Sequence, residues 1–357
     1  MIKKECFTAE WIEQVSSELH YNDKNLIEKV IRALSLLEML VKAGCPLVFK
    51  GGTALMLILG KSAHRLSIDI DLICPPGTNI EDYLKSFADF GFINLELVER
   101  KQRDDADIPK SHSKFFYQIA YRNDTDAQSY ILLDVLYEDI HYFRTQQIAI
   151  NCPFIRLEGK PLMVTVPSAE DILGDKLTAF APNTTGIPYY RNGRSCSMEI
   201  AKQLYDVGRL FENVSDLQIT KEAFRKIAVV ELSYRSFGTD IEQVFNDIRQ
   251  TALCISTRGK AGEGDFDLIQ DGIIRVKSFM YKQRYLIDHA IIDAARAAYL
   301  ATLIEKGINE IESYSNNPAD IKDMVIRPSL PNKLNKLRSN LPEAYYYWAK
   351  TSELLEA

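Results

Sequence analysis

Two neighbouring segments constrain this chain more than any others: Lys50-Gly51-Gly52-Thr53, and Arg65-Leu66-Ser67-Ile68-Asp69-Ile70-Asp71-Leu72. Leu47-Val48-Phe49 reads as a short buried strand, and residues 53–59 read as an apolar helix closed by Gly60. The two glycines therefore fall at a strand-to-helix turn. Glycine there permits positive φ and lets a phosphate approach the backbone. The helix N-terminus adds N–H groups and a partial positive charge, and the Thr53 hydroxyl adds a hydrogen-bonding group. In the second segment Asp69 and Asp71 alternate with Ile68, Ile70 and Leu72, and Leu66 extends the pattern backward. A strand turns every second side chain to the same face, so both carboxylates point one way. Two acids on one face repel unless a cation joins them, and a hard divalent ion such as Mg²⁺ suits that need. Alone, Asp-x-Asp also describes a solvated strand face, and Gly-Gly can be a plain turn. Their close succession is the specific signal.

With these residues the chain resembles the nucleotidyltransferases of the DNA polymerase β superfamily, and more closely the AbiEii/AbiGii toxins of type IV toxin–antitoxin and phage abortive-infection modules. The matching residues are Gly51-Gly52-Thr53 and then Arg65, Ser67, Asp69, Asp71 and Leu72. The resemblance spans roughly residues 47–210, strong in its first motif and weak in its last. It implies that Lys50, Gly51, Gly52 and Thr53 bind the phosphates of a nucleoside triphosphate. It further implies that Arg65 touches phosphate and that Ser67 orders the metal-binding strand. A surface arginine is the alternative for Arg65.

In-line phosphoryl transfer with two metal ions needs a further acid on a neighbouring strand. Residues 113–122 and 130–138 read as two β-rich runs, joined by a polar stretch that begins Asn123-Asp124-Thr125-Asp126, a hairpin signal. Asp134 is the sole charge between Ile131 and Tyr137. An acid inside an apolar strand is expensive unless paired or liganding, so Asp134 reads as the third metal ligand, with a structural ion pair as the alternative. Members of the resembled family often carry Lys-x-Asp-Ile on this strand. Leu132 stands at the lysine position here, which removes one phosphate contact.

After Pro167, Ser168-Ala169-Glu170-Asp171 has nearly the form of a capping box. The helix it opens carries Lys176, the only cation from Leu162 to Tyr190. By resemblance Lys176 serves the triphosphate or the charge that develops on transfer; a surface lysine beside Asp175 is the alternative. Lys202-Gln203-Leu204-Tyr205-Asp206-Val207 matches the family's last motif imperfectly, with Gln203 replacing an acid. Asp206 is a nucleotide-site candidate or the i+4 partner of Lys202. Between these helices, residues 182–194 form the clearest loop, with Tyr189 and Tyr190 placed to stack on a base and Arg191 and Arg194 to grip phosphate, unless it is a plain connector.

The remaining features narrow the class. At 357 residues, 46% hydrophobic and 26% charged, the chain has the composition of a globular protein with room for two domains. No apolar run approaches a membrane span, and Met1-Ile2-Lys3-Lys4-Glu5 lacks the apolar core of a signal peptide. Six scattered cysteines without Cys-x-x-Cys spacing fit reduced thiols in the cytoplasm. The five histidines show no metal-ligand spacing, and His64 reads as structural. A net charge of −6 disfavours general affinity for nucleic acid and leaves only local basic patches. Arg327, Lys333, Lys336, Arg338 and Lys350 near Tyr345, Tyr346, Tyr347 and Trp348 form one such patch, although a helix with an aromatic core face looks the same.

Periodicity gives helices over 8–20, 23–43, 198–212, 221–234, 240–255, 266–280 and 284–306, with a further capped helix opened by Thr78 and Glu81. The expected fold class is α+β: a mixed-sheet nucleotidyltransferase domain followed by a helical bundle. N-terminal helices occupy 1–45, the catalytic domain 46–167 and the helical domain 168–357. The resemblance implies an enzyme that moves NMP from an NTP to an acceptor hydroxyl, using one or two Mg²⁺ ions at Asp69, Asp71 and Asp134. It also implies a tRNA 3′ end as acceptor, growth arrest as the result and an antitoxin as partner. A protein or small-molecule acceptor, or nucleotide binding without transfer, would use the same residues.

Overall fold

The computed structural model describes residues 1–97, 110–122, 127–214, 216–235, 238 and 240–357. The chain divides into two compact units. One holds Met1–Ser168 and Ser278–Arg284, the other Ala169–Lys277 and Tyr285–Ala357.

The first unit begins with α1 (Ala9–Glu18) and α2 (Lys24–Lys42). Asp23 caps α2 by accepting the Leu26 amide at 3.0 Å, and Leu26, Ile27, Val30, Ile31, Leu34 and Leu37 line its buried face. Then come β1 (Val48–Lys50), α3 (Gly51–Leu59), β2 (Ile70–Cys74), β3 (Asn94–Leu97), β4 (Lys110–Gln118) and β5 (Gln128–Tyr137). The five strands form one mixed sheet in the order β1-β2-β5-β4-β3. β2 and β5 are parallel, and the other neighbours are antiparallel. β6 (Thr145–Ala149) and β7 (Met163–Pro167) pair separately.

The sheet has two unlike faces. Ser113, Phe115 and Tyr117 of β4 and Ile131, Leu133 and Val135 of β5 are buried. Each large apolar side chain among them contributes up to about 1.5–3 kcal/mol of burial. The alternate residues His112, Lys114, Phe116, Leu132 and Asp134 are only half-buried. Period-2 patterning thus places the core on one side and the charged side chains on the other.

Two expectations change here. β2 starts at Ile70, so Asp69 precedes the strand instead of lying within it. The cause is the glycine turn: β1 ends where Lys50 pairs with Asp71, and the chain then leaves the sheet as α3. Residues before Ile70 lean instead on the returning segment, where Arg65 bridges to Met280 and the Leu66 amide donates to the Phe279 carbonyl at 2.8 Å. The capped helix expected from Thr78 is only a 3-10 turn, Ile80–Tyr83. The Thr78 hydroxyl turns back to the Pro75 carbonyl at 2.7 Å and so caps nothing. The hairpin turn expected at Asn123-Asp124-Thr125-Asp126 lies outside the described residues, while the strands it joins pair as expected.

The second unit is helical: α4 (Ala169–Ala179), α5 (Ser197–Phe211), α6 (Gln218–Ser233), α7 (Ile241–Ser256), α8 (Phe266–Val276), α9 (Ile287–Glu305), the short α10 (Leu337–Asn340) and α11 (Pro342–Glu356). A small hairpin, β8 (Tyr190–Arg191) and β9 (Arg194–Ser195), turns through Asn192 and Gly193, both at positive φ. Tyr345, Tyr346, Tyr347 and Trp348 of α11 are all buried, with the Trp348 indole donating to the Ser256 hydroxyl at 2.9 Å. They are core aromatics and do not form an RNA platform. Among the described residues, no helix is long and apolar enough to cross a membrane.

Candidate active site

The glycine turn and the Asp-x-Asp segment, separate in sequence, meet in the first unit. Gly51 has φ +78°, and a methyl group on it would stand 2.1 Å from Asp71 Oδ2. A methyl on Gly52 would stand 2.7 Å from Ser67 Oγ and 2.9 Å from an Arg65 guanidinium nitrogen. Both glycines are therefore required for Arg65, Ser67 and Asp71 to lie against the start of α3. Arg65 is buried and donates to the Leu66 carbonyl at 3.0 Å, so it is no surface arginine. Thr53 has a job the sequence did not suggest. Its fully buried hydroxyl donates to the Asp69 carbonyl at 2.7 Å, fixing the backbone just before β2 instead of reaching outward.

Strand register extends this cluster across the sheet. Lys50 pairs with Asp71, Asp71 with Asp134, and Asp134 with His112. Facing residues on adjacent strands share a face with Cβ atoms about 5 Å apart. The result is a row of one ammonium group, two carboxylates and one imidazole across β1, β2, β5 and β4. His112 Nδ1 lies 2.5 Å from Asp134 Oδ1, with the imidazole 13% and the carboxylate 34% exposed. Along the chain His112 has no partner at metal-ligand spacing, so the sequence does not single it out. Its signal lies in the hairpin, whose register puts residue 112 opposite residue 134.

The other predicted site residues lie in the second unit. Lys176 on α4 is 3.2 Å from Asp206 on α5 and donates to Gln203 Oε1 at 3.0 Å. Both charged groups are buried in a sealed ion pair, which excludes the alternative of a surface lysine beside Asp175. Of the aromatic loop, Tyr190 is exposed, whereas burial pushes the Tyr189 hydroxyl up to about 12. Asn183 and Thr184 are tied to Asp247, so this segment is an anchored turn rather than a loose connector.

A family model described as "Nucleotidyl transferase AbiEii toxin, Type IV TA system" matches residues 34–319. The chain belongs to the AbiEii family. It is accordingly a nucleotidyltransferase of the toxin–antitoxin class, with the α+β fold expected. Among solved structures, this AbiEii member is similar to JHP933 from Helicobacter pylori at 17% identity and TM-score 0.42, covering 79% of this chain and 94% of that one. It is also similar to MenT4, a nucleotidyltransferase toxin from Mycobacterium tuberculosis, at 11% identity and TM-score 0.43, covering 96% and 98%. No curated protein matches it.

Nucleotidyl transfer by AbiEii proteins raises the question of a metal ion. Among the described residues, no three His, Cys, Asp or Glu side chains are gathered into a ready-made shell. Magnesium does not require one, since it is usually held by one or two carboxylates, with substrate phosphates and water completing the octahedron. The hard oxygens of Asp71 and Asp134, facing each other on adjacent strands, fit that pattern. Like charges so placed also repel until a cation joins them.

Proposed function

We propose that this AbiEii protein transfers a nucleoside monophosphate from an NTP to an acceptor hydroxyl, with a tRNA 3′ end as acceptor, Mg²⁺ as cofactor and a cognate antitoxin as partner. The observation that carries the reading is the Asp71–Asp134 register pair set against the Gly51-Gly52 turn. Asp71 and Asp134, with Asp69 beside them, would hold the ion. Bound there, Mg²⁺ supplies positive charge to the attacking and leaving oxygens of an in-line displacement. Gly51 and Gly52 bring backbone N–H groups to the triphosphate, and Lys50 stands beside Asp71 at the end of β1. Arg65 and Ser67 hold the turn in place, and Thr53 fixes Asp69. The acceptor oxygen bonds to the α-phosphorus, the bond to pyrophosphate breaks, and the acceptor proton passes to Asp134.

The test uses each of the four NTPs labelled at the α-phosphate, with total tRNA, cell extract and Mg²⁺, beside Asp71→Asn. Label on tRNA that disappears in the variant is the expected result. Label on protein or a small molecule would overturn the acceptor. NTP binding with no label on any acceptor would overturn transfer itself.

A further inference from the structure

β4 reads differently on its two faces. Ser113, Phe115 and Tyr117 enter the core, while the alternate residues are Lys110, His112, Lys114 and Phe116. From Lys110 to Phe116 every second residue is therefore basic or aromatic, and Gln118 ends that face of the strand. β5 adds one aromatic ring to this face: Tyr130 pairs with Phe116, their ring centroids 5.7 Å apart, while the apolar Leu132 pairs with Lys114. The Tyr130 ring, 39% exposed, brings two ammonium groups together. Lys114 Nζ and Lys29 Nζ, from β4 and α2, each lie 5.5 Å from its centroid.

Core packing does not account for this group, because the opposite face of the same strands supplies the core. Lys114 meets the exposed Glu96 at 3.5 Å, a contact of little energy in water. The basic stripe from Lys110 to Phe116 runs about 20 Å at ~3.3 Å per residue. It passes Asp134 at its His112 position. It is longer than one nucleotide, and interleaved cations and aromatic rings suit phosphates and bases in succession. In a chain of net charge −6, such a stripe gives a polyanion a local place to approach.

We infer that the β4 face, through Lys114, Lys29, Phe116 and Tyr130, is the subsite that binds the single-stranded end of a nucleic-acid acceptor beside the carboxylates. The inference takes its position from the transferase reading and its ligand from the stripe's own chemistry.

The test is fluorescence anisotropy of a short 5′-labelled single-stranded RNA without NTP, comparing wild type with a variant carrying Lys29→Ala and Lys114→Ala. Loss of two phosphate contacts should weaken binding about tenfold at physiological salt and reduce the slope of log affinity against log salt by about 1.4. NTP affinity, measured by calorimetry, should stay within about twofold. Glutamine at both positions gives the same readout if the alanine variant melts early. Unchanged RNA affinity and slope, absence of RNA binding by wild type, or a parallel loss of NTP affinity would each overturn the subsite. Failure of the transferase reading looks different: label moves to protein, while RNA still binds and the two lysines still govern that binding.

Discussion

Asp134 in the first unit and Asp206 in the second are both acids on regular elements, yet their surroundings are opposite. Asp206 is sealed, 1% exposed, against a buried ammonium group 3.2 Å away. Asp293 on α9 is treated similarly, with Arg209 and Arg296 beside it and the Tyr285 hydroxyl donating at 3.0 Å; burial still raises its carboxyl. Asp134 is a third exposed, faces Asp71 across the strand pair, and has an imidazole on one oxygen. The helical unit thus compensates its buried charges from within. The sheet unit sets two like charges side by side, an arrangement that costs stability unless a ligand uses it.

Four experiments sharpen or break this contrast. Asp71→Asn should lower transfer about a thousandfold or more, since charge neutralisation at the phosphate is worth several kcal/mol. The same change should leave the melting temperature equal or higher, because relieving a facing like charge is worth about 0.2–1 kcal/mol. A clear fall in stability would make Asp71 structural and erase the distinction. Lys176→Met should behave in the opposite way. It leaves Asp206 buried and unpaired, at a cost of about 3–5 kcal/mol in urea unfolding, and adding Asp206→Asn should recover part of that. A Lys176→Met protein of normal stability but no transfer would return Lys176 to the reaction.

Gly51→Ala comes next. It forces a side chain into positive φ and toward Asp71 Oδ2, so kcat should drop about a hundredfold through displacement of that carboxylate. Wild-type kinetics would show that the turn yields without moving Asp71. The smallest effect belongs to His112→Ala, which removes a group orienting Asp134. We expect about a tenfold fall in kcat with the KM for NTP nearly unchanged, and recovery with His112→Asn, whose amide can still donate. Equal kcat in the alanine variant would leave the imidazole a bystander.

Local patterns in the sequence carried much of this architecture. The apolar spacing of residues 23–43 and the stop at Gly44 predict α2, and the Gly-Gly turn predicts a strand giving way to a helix. The β-rich runs over 113–122 and 130–138 predict the two strands that present Asp134, which the fold places at 110–118 and 128–137. What stayed hidden depends on register and on contacts distant in sequence. His112 acquires meaning only once it stands opposite Asp134. Asp206, by sequence a nucleotide-site candidate or the i+4 partner of Lys202, meets Lys176 only once α4 and α5 pack together. Asp69 reads as mid-strand because its isoleucine neighbours alternate, and only pairing reveals that the sheet begins one residue later. Nothing periodic announces that Ser278–Arg284 joins the first unit.

That returning segment has a consequence for when the catalytic unit exists at all. It pairs Met280 with Arg65, bonds the Tyr281 amide to the His64 carbonyl at 3.0 Å, and receives the Tyr21 hydroxyl on the Ser278 carbonyl. A chain emerging from the ribosome carries the glycine turn and all three aspartates long before it carries this support. The segment that positions Arg65 arrives only after the five described helices α4 to α8 of the other unit have been synthesised. Synthesis therefore separates possession of the chemical groups from possession of the fold that aligns them, and a fragment released early holds the former without the latter.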